Sequence, residues 1–374
     1  MVLDPRDSPL RLDAALACNF GYFFYSEFSI QLSGTLMSLC LNARFRRRTL
    51  ALAVLVVATG FPTFGQKTAK DSSSAAPAIW HDPGDVRSKD LLNGPGGEKH
   101  HPHLPVKFLK EDKHGQNSKF DVEDADGTKW KAKLGIEAQP EVVATRLLWA
   151  IGYFTNDNYY VPNLAVKELP ALLHRGQGHV ISPGHVDGAR LQRHTGGEKK
   201  EDTWNWRHNP FVGTREFNGL RVMMAFLSNW DLKDENNAIF TDKEGRREYL
   251  VTDVGTAFGA SGKHWTEAAS KNNLKEYKKA KFISKVTPDY VDFNFPRRPP
   301  LLHLLVLPSY IHQVHMRWVG KHVPRTDAKW LGSLLAQLTT DQILDAFRAG
   351  GYAPDKAADF TKVVQSRIAE LNQI

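Results

Sequence analysis

The stretch Asn229-Trp230-Asp231-Leu232-Lys233-Asp234-Glu235-Asn236-Asn237, with Thr252-Asp253-Val254-Gly255 a short way beyond it, decides how this chain is read. A run from roughly Arg215 to Ser228 precedes it, with Leu220, Met223, Met224 and Leu227 at helical spacing. A hairpin pattern separates its two parts: Ala238-Ile239-Phe240 is one arm, TDKEGRRE the turn and Tyr249-Leu250-Val251 the other. Phosphoryl transfer asks for this set of side chains. One carboxylate takes the proton of the attacking hydroxyl, an amide oxygen and a second carboxylate hold Mg²⁺ against the phosphates, and a lysine offsets charge on the moving group. Asp231 is then the base, Lys233 the neighbouring cation, and Asn236 and Asp253 the metal ligands, with Mg²⁺ and ATP as cofactors. Gly255 is expected to let the chain turn away with no side chain against the nucleotide. On the alternative reading Asp231 and Asn236 are loop caps and Asp253 a turn residue.

The nucleotide must also be held from the opposite side. In WKAKLG, strand alternation puts Lys131 and Lys133 on one face and Trp130, Ala132 and Leu134 on the other. Lys133, with Lys131 as the alternative, is the candidate for the α- and β-phosphates. Glu141 is its expected partner, the acid on an otherwise apolar and basic helix. That helix, PEVVATRLLWAIG, opens at Pro140 in the first helical position and stops at Gly152. The preceding stretch SKFDVEDADGTKWKAKLG reads as two strands joined at Asp126-Gly127.

DLKDEN, Asp231 to Asn236, resembles the catalytic loop of protein kinases, and Asp253-Val254-Gly255 resembles their metal-binding Asp-x-Gly. HGQNSKF, His114 to Phe120, resembles the short phosphate loop of HipA-type kinases. The resemblance assigns Gly115, Gln116, Asn117, Ser118 and Lys119 to phosphate binding, with Gly115 permitting close backbone approach and Lys119 adding charge. The chain has no G-x-G-x-x-G loop, no His-Arg-Asp and no Ala-Pro-Glu, so the likeness is to the atypical set: HipA-type, phosphoinositide-kinase-like, CotH-type and secretory-pathway kinases. It covers roughly Pro105 to Gly259. It implies an α+β, two-lobed protein-kinase-like fold, with a strand-rich N-lobe carrying one helix and a mainly helical C-lobe.

Composition is compatible with that outline. The 374 residues are 41% hydrophobic with nine Trp and twenty Phe, which excludes a mainly disordered chain or a multi-span membrane protein. The two cysteines, Cys18 and Cys40, precede residue 66, so a cysteine zinc site or thiol nucleophile is excluded from the main body. Residues 1–65 read as a secretory leader: Arg44, Arg46, Arg47 and Arg48 stand before the apolar run Thr49 to Phe61, and Met37 is a natural start. That run falls short of the ~20 apolar residues of a spanning helix. An exported protein is expected, and a single membrane anchor stays open. Residues 66–104 read as a flexible linker, with His100, His101 and His103 as solvated linker residues. Residues 105–170 are then the N-lobe and 171–374 the C-lobe, in which Thr339 and Gln342 form a capping box and Phe360, Val364, Ile368 and Leu371 make one helical stripe.

The net charge of +8 is mild. Between Val254 and Val286, however, Lys263, Lys271, Lys275, Lys278, Lys279, Lys281 and Lys285 face only Glu267 and Glu276. That excess suits an acidic protein, phosphorylated sugar or anionic lipid head group as hydroxyl acceptor, leaves membrane-surface association open, and equally suits a solvated loop. Trp204-Asn205-Trp206 is expected to fill the core. Basic residues are not interleaved with exposed strand aromatics, so no nucleic-acid partner is expected. The expected activity is an exported Mg-ATP-dependent phosphotransferase. The alternatives are a non-catalytic binding or scaffold protein of the same shell and a nucleotidyl transferase.

Overall fold

The computed structural model describes residues 76–115, 117–194, 199–260, 270–295, 311–312 and 314–374. The expected leader, the first ten residues of the expected linker, Gln116 and Lys263 lie outside them. Among the described residues no helix is long and apolar enough to cross a membrane.

The first sheet is built from β1 (Val106–Asp112), β2 (Lys119–Glu123), β3 (Lys129–Leu134), β4 (Asn158–Lys167), β5 (Val180–Ser182) and β6 (His185–Arg193). Its order is β3-β2-β1-β4-β6-β5, and an additional β3–β6 pairing closes β1, β2, β3, β6 and β4 into a barrel. All the ladders are antiparallel except β1–β4, where Val106 faces Val166 in parallel. Alternation sends Val106, Phe120, Val122, Trp130, Ala132, Leu164 and Leu191 into a barrel core of their own. The β2–β3 hairpin turns at Asp126-Gly127, where the Asp124 carboxylate accepts from the backbone N–H groups of Asp126 and Thr128 and from the Trp130 indole.

The barrel runs through Arg193, so the division expected at residue 170 is corrected. The apolar residues of β5 and β6 are broken by Gly188 and Asp187, and the third and fourth strand partners come from across the barrel, which periodicity along the chain does not reveal. Between β3 and β4 lies α1 (Ala138–Ala150), buried almost all round and packed against β4, β6 and α5 (Thr340–Ala349). Pro140 sits in its first turn, where its missing N–H has no helical partner to lose.

A second, larger core gathers α1, α2 (Arg215–Phe226), α3 (Leu274–Lys279), α4 (Arg325–Leu335), α5 and α6 (Pro354–Asn372). Thr214 caps α2 and the Thr339–Gln342 capping box starts α5. A three-stranded sheet of β7 (Lys199–Asp202), β8 (Asn237–Thr241) and β9 (Arg247–Val251) carries the polar hairpin, and β10 (Ile283–Val286), β11 (Tyr290–Phe293) and β12 (Val323–Pro324) form another. Trp204 and Trp206 lie buried in this core.

Residues 76–104 are not a linker. Ile79, Val86 and Leu91 are buried in the second core. Ala78 bonds along β9 through Arg247 O and Tyr249 N–H, the Trp80 indole donates to Ile151 O at 2.7 Å, and Gln342 Nε2 donates to the carbonyls of Val86, Arg87 and Lys89. The histidines are engaged too: His100 meets Asp157 at 2.8 Å, His101 meets Asn93 and His103 meets Asp126. The apolar residues are spaced singly among polar ones, so they carry no helix or strand period although each one is anchored.

Candidate active site

Lys133 stands at the end of β3, directly opposite Lys119 on β2 and Arg190 on β6. Residues directly opposite one another share a face, so three cations stand in one row across the sheet. The side chain of Lys133 is almost fully buried, and its Nζ lies 3.0 Å from Glu141 Oε2, 3.0 Å from Asp253 Oδ1 and 2.6 Å from Glu137 Oε2. Arg190 Nη2 holds the other Glu141 oxygen, Oε1, at 3.2 Å. Glu141 is reached because its place in the first turn of α1 turns it toward the sheet that α1 covers. Lys131, the alternative lysine, is tied instead to Asp112 at 3.1 Å and lies near Asp121.

Burial works against the Lys133 charge, but Glu141, Asp253 and Glu137 outweigh it and raise its pKa above the ordinary lysine value. Glu141 moves the other way from a typical paired acid: burial pushes it up, against the pull of Arg190 and Lys133. For Asp253 burial is outweighed by Lys133, and its carboxyl is held below the usual range.

The loop after α2 is fixed from both ends. Arg367 on α6, stacked 3.8 Å over the Tyr277 ring, donates to Phe226 O at 2.6 Å, placing a cation at the C-terminal end of α2. Asn229 is fully buried and accepts from the Thr256 hydroxyl, the Trp230 indole donates to Ser270 O, and Leu232 plugs the second core. Asp234 accepts from the Asn205 amide, and Asn237 donates to Trp204 O at 2.8 Å. Asp231 and Lys233 are left between these anchors, Lys233 Nζ lying 3.5 Å from Asp231 Oδ1. Asn236 joins the two motifs. Its amide donates to Asp231 O at 2.8 Å, and its own carbonyl accepts from Thr252 N–H at 2.7 Å and from Asp253 N–H.

The structure therefore brings Lys133, Glu141 and Asp253 into contact, and Asp231, Asn236 and Asp253 into one hydrogen-bonded unit. The described residues of the expected phosphate loop go to different partners. Gly115 has φ +72°, a left-handed backbone that favours glycine, and a Cβ there would meet Lys119 Nζ at an ordinary 3.6 Å. Asn117 Nδ2 donates to Glu137 Oε2 at 2.7 Å. Ser118 uses its carbonyl to accept from Leu134 N–H, and its side chain packs against Gly176. Gly255 also allows a close approach to Glu137: a Cβ there would lie 2.8 Å from Glu137 Cβ and 3.2 Å from Glu137 O. Lys271 is not part of an open basic patch; it is buried and paired with Glu137 Oε1.

Sequence reading missed Glu137, Arg190 and Lys271. Glu137 sits at i+4 from Lys133 just before α1, a signal that local spacing contains. Arg190 and Lys271 are supplied by distant segments, and nothing local marks them.

Two carboxylates and an amide near a buried lysine fit the donor chemistry that a Mg²⁺-nucleotide would need. Mg²⁺ characteristically takes one or two side-chain oxygens and completes its shell with phosphates and water. Asn236 donates its amide N–H to Asp231, so its Oδ1 is the atom that could take a metal, and Asp253 accepts from Lys133 and from Gly255 N–H on Oδ1. Among the described residues no group of three or more His, Cys, Asp or Glu is arranged to hold a metal by itself.

Neither a family model nor a curated protein sequence matches the chain. Solved structures similar to it include a Helicobacter pylori proinflammatory kinase, CtkA, at 10% identity and TM-score 0.37, covering 73% of this chain and 97% of that one. A golgi casein kinase is similar at 10% identity and TM-score 0.31, covering 73% of each chain.

Proposed function

We propose that this chain is a Mg-ATP-dependent phosphotransferase of atypical, two-lobed kinase type. In that reading the barrel with α1 is the N-lobe, the helical part the C-lobe, and a hydroxyl compound the acceptor. The observation that carries the reading is the position of Lys133 Nζ, at 3.0 Å from both Glu141 on α1 and Asp253 beyond the β8–β9 hairpin. Lys133 and Glu141, eight residues apart, meet there a carboxylate 120 residues further along the chain, the combination a phosphate clamp and a metal carboxylate require.

Lys133, held by Glu141, binds the α- and β-phosphates. Asn236 and Asp253 would hold Mg²⁺, which when bound would supply positive charge to offset that of the phosphates. Asp231 accepts the proton of the acceptor hydroxyl as its oxygen bonds to the γ-phosphorus. The bond from that phosphorus to the β–γ bridging oxygen breaks, and ADP is the leaving group. Lys233, exposed beside Asp231, offsets charge on the transferring oxygens. Export, which rests on Arg44 to Phe61, is part of the proposal, as is an anionic acceptor near the lysines of residues 275–285.

The test is Mg-ATP binding and γ-phosphoryl transfer by the full chain, compared with Asp253→Ala and Asp231→Asn. Binding lost in Asp253→Ala, together with binding retained but turnover lost in Asp231→Asn, supports the reading. Label transferred from the α-phosphate would identify a nucleotidyl transferase, and binding without turnover in the wild type would identify a binding protein.

A further inference from the structure

Resting on the phosphotransferase reading, we propose that Asn117 Nδ2, Lys133 Nζ and Lys271 Nζ form a polyphosphate subsite that the carboxylate of Glu137 fills until nucleotide displaces it. Glu137 is buried, and both of its oxygens are used: Oε2 is ion-paired with Lys133 Nζ at 2.6 Å and accepts from Asn117 at 2.7 Å, and Oε1 meets Lys271. These three donors come from the phosphate loop, from β3 and from the segment following Asp253. They converge on one anion, as donors around a phosphate do.

The hydrogen-bond inventory of Lys133 makes the competition explicit. An ammonium has three donors; two go to Glu141 and Asp253, and Glu137 crowds the remaining side of Nζ as an ion pair at 2.6 Å. A phosphate oxygen gains direct contact with Nζ only when one carboxylate gives way. Glu141 is pinned by Arg190 on its second oxygen, and Asp253 is tied to the Gly255 N–H. Glu137, at the start of α1, is held by the same donors that a phosphate would take over. Its displacement gives up one contact from each of the three groups together. Lys271 thereby becomes a binding residue of the site, contributed by the segment that a sequence reading assigns to a basic surface.

The experiment measures affinity of the full chain for Mg-ATP, Mg-ADP and adenosine in wild type, Glu137→Gln and Lys271→Met. The expected result for Glu137→Gln is a Kd about tenfold lower for ATP and ADP, the scale of one competing charge-assisted hydrogen bond, with adenosine unchanged. Lys271→Met is expected to bind ATP about tenfold more weakly, again with adenosine unchanged. Glu137→Asp, which keeps the charge but shortens its reach, is expected to lie between wild type and Glu137→Gln and serves if the amide variant fails to fold. Wild-type binding of Mg-ATP with no gain, or a loss, in both Glu137 variants overturns the subsite and leaves the phosphotransferase reading standing. An equal gain for adenosine overturns it as well. Absence of nucleotide binding in wild type and every variant overturns both.

Discussion

Lys133 and Arg190 are direct cross-strand partners on β3 and β6, and each holds a different oxygen of Glu141. Two like charges facing each other across a ladder repel. The buried carboxylate between them turns that repulsion into a bridge joining barrel and helix. Around this bridge three acids, Glu137, Glu141 and Asp253, interlock with Lys133, Arg190 and Lys271. The site therefore holds charge of both signs before any ligand arrives.

Arg190→Met removes one partner from a fully buried carboxylate. Breaking such a pair costs about 3–5 kcal/mol because the remaining charge is left under-compensated. Denaturant unfolding of the full chain should show that loss, and adding Glu141→Gln to the variant should recover part of it. Equal stability of Arg190→Met and wild type would mean the bridge contributes nothing.

Gly255→Ala places a methyl group against the Cβ and carbonyl of Glu137. The neighbour is partly backbone and yields little, so a cost of about 1–3 kcal/mol is expected. The Asp253 carboxylate should shift away from Lys133 at the same time. Nucleotide affinity falling together with the midpoint of thermal unfolding is the expected pattern, whereas a neutral variant would show that this close approach is relaxed in solution.

Acid should loosen the site in a defined window. Asp253 and Glu137 both have folded pKa values below their ordinary ones, burial being outweighed chiefly by Lys133. Their stabilisation is present above the unfolded carboxylate pKa and is lost as pH falls through the folded value. Asp112 behaves alike: against burial, the His114 backbone N–H and Lys131 hold it down to about 2. Glu141 has the opposite sign. Burial raises it, so its ionisation costs stability as pH climbs above the ordinary carboxylate range. Lys133, raised by its three acids, contributes stability that is complete below its unfolded pKa and lost at pH above that. Unfolding free energy measured against pH should therefore fall below about pH 4, and Asp253→Asn should flatten part of that fall.

Deleting residues up to Leu104 removes Ile79, Val86 and Leu91 from the second core and leaves Gln342 Nε2 without its three carbonyls. Burial of three aliphatic side chains is worth on the order of 5 kcal/mol. A chain beginning at residue 105 should be insoluble or lose cooperative unfolding, while one beginning at 76 should retain it. Identical melting of the two would restore the linker reading for residues 76–104.

The sequence by itself determined the parts whose cause is local. The β2–β3 hairpin, α1, α2 ending before the polar loop, the β8–β9 hairpin, the Thr339–Gln342 capping box and the stripe of α6 all follow from spacing and turn chemistry within a few residues. The sequence also named Asp231, Asn236, Asp253, Lys133 and Glu141, which the fold brings together. Tertiary structure alone decided the rest. Closure of the barrel through Arg193, anchoring of residues 76–104, and delivery of Arg190 and Lys271 to the site all join segments whose order along the chain carries no period. The physical reason is one of range. Helix and strand patterns arise from neighbours within a turn or a pleat, whereas a buried charge is balanced by whichever opposite charge the fold brings within about 4 Å.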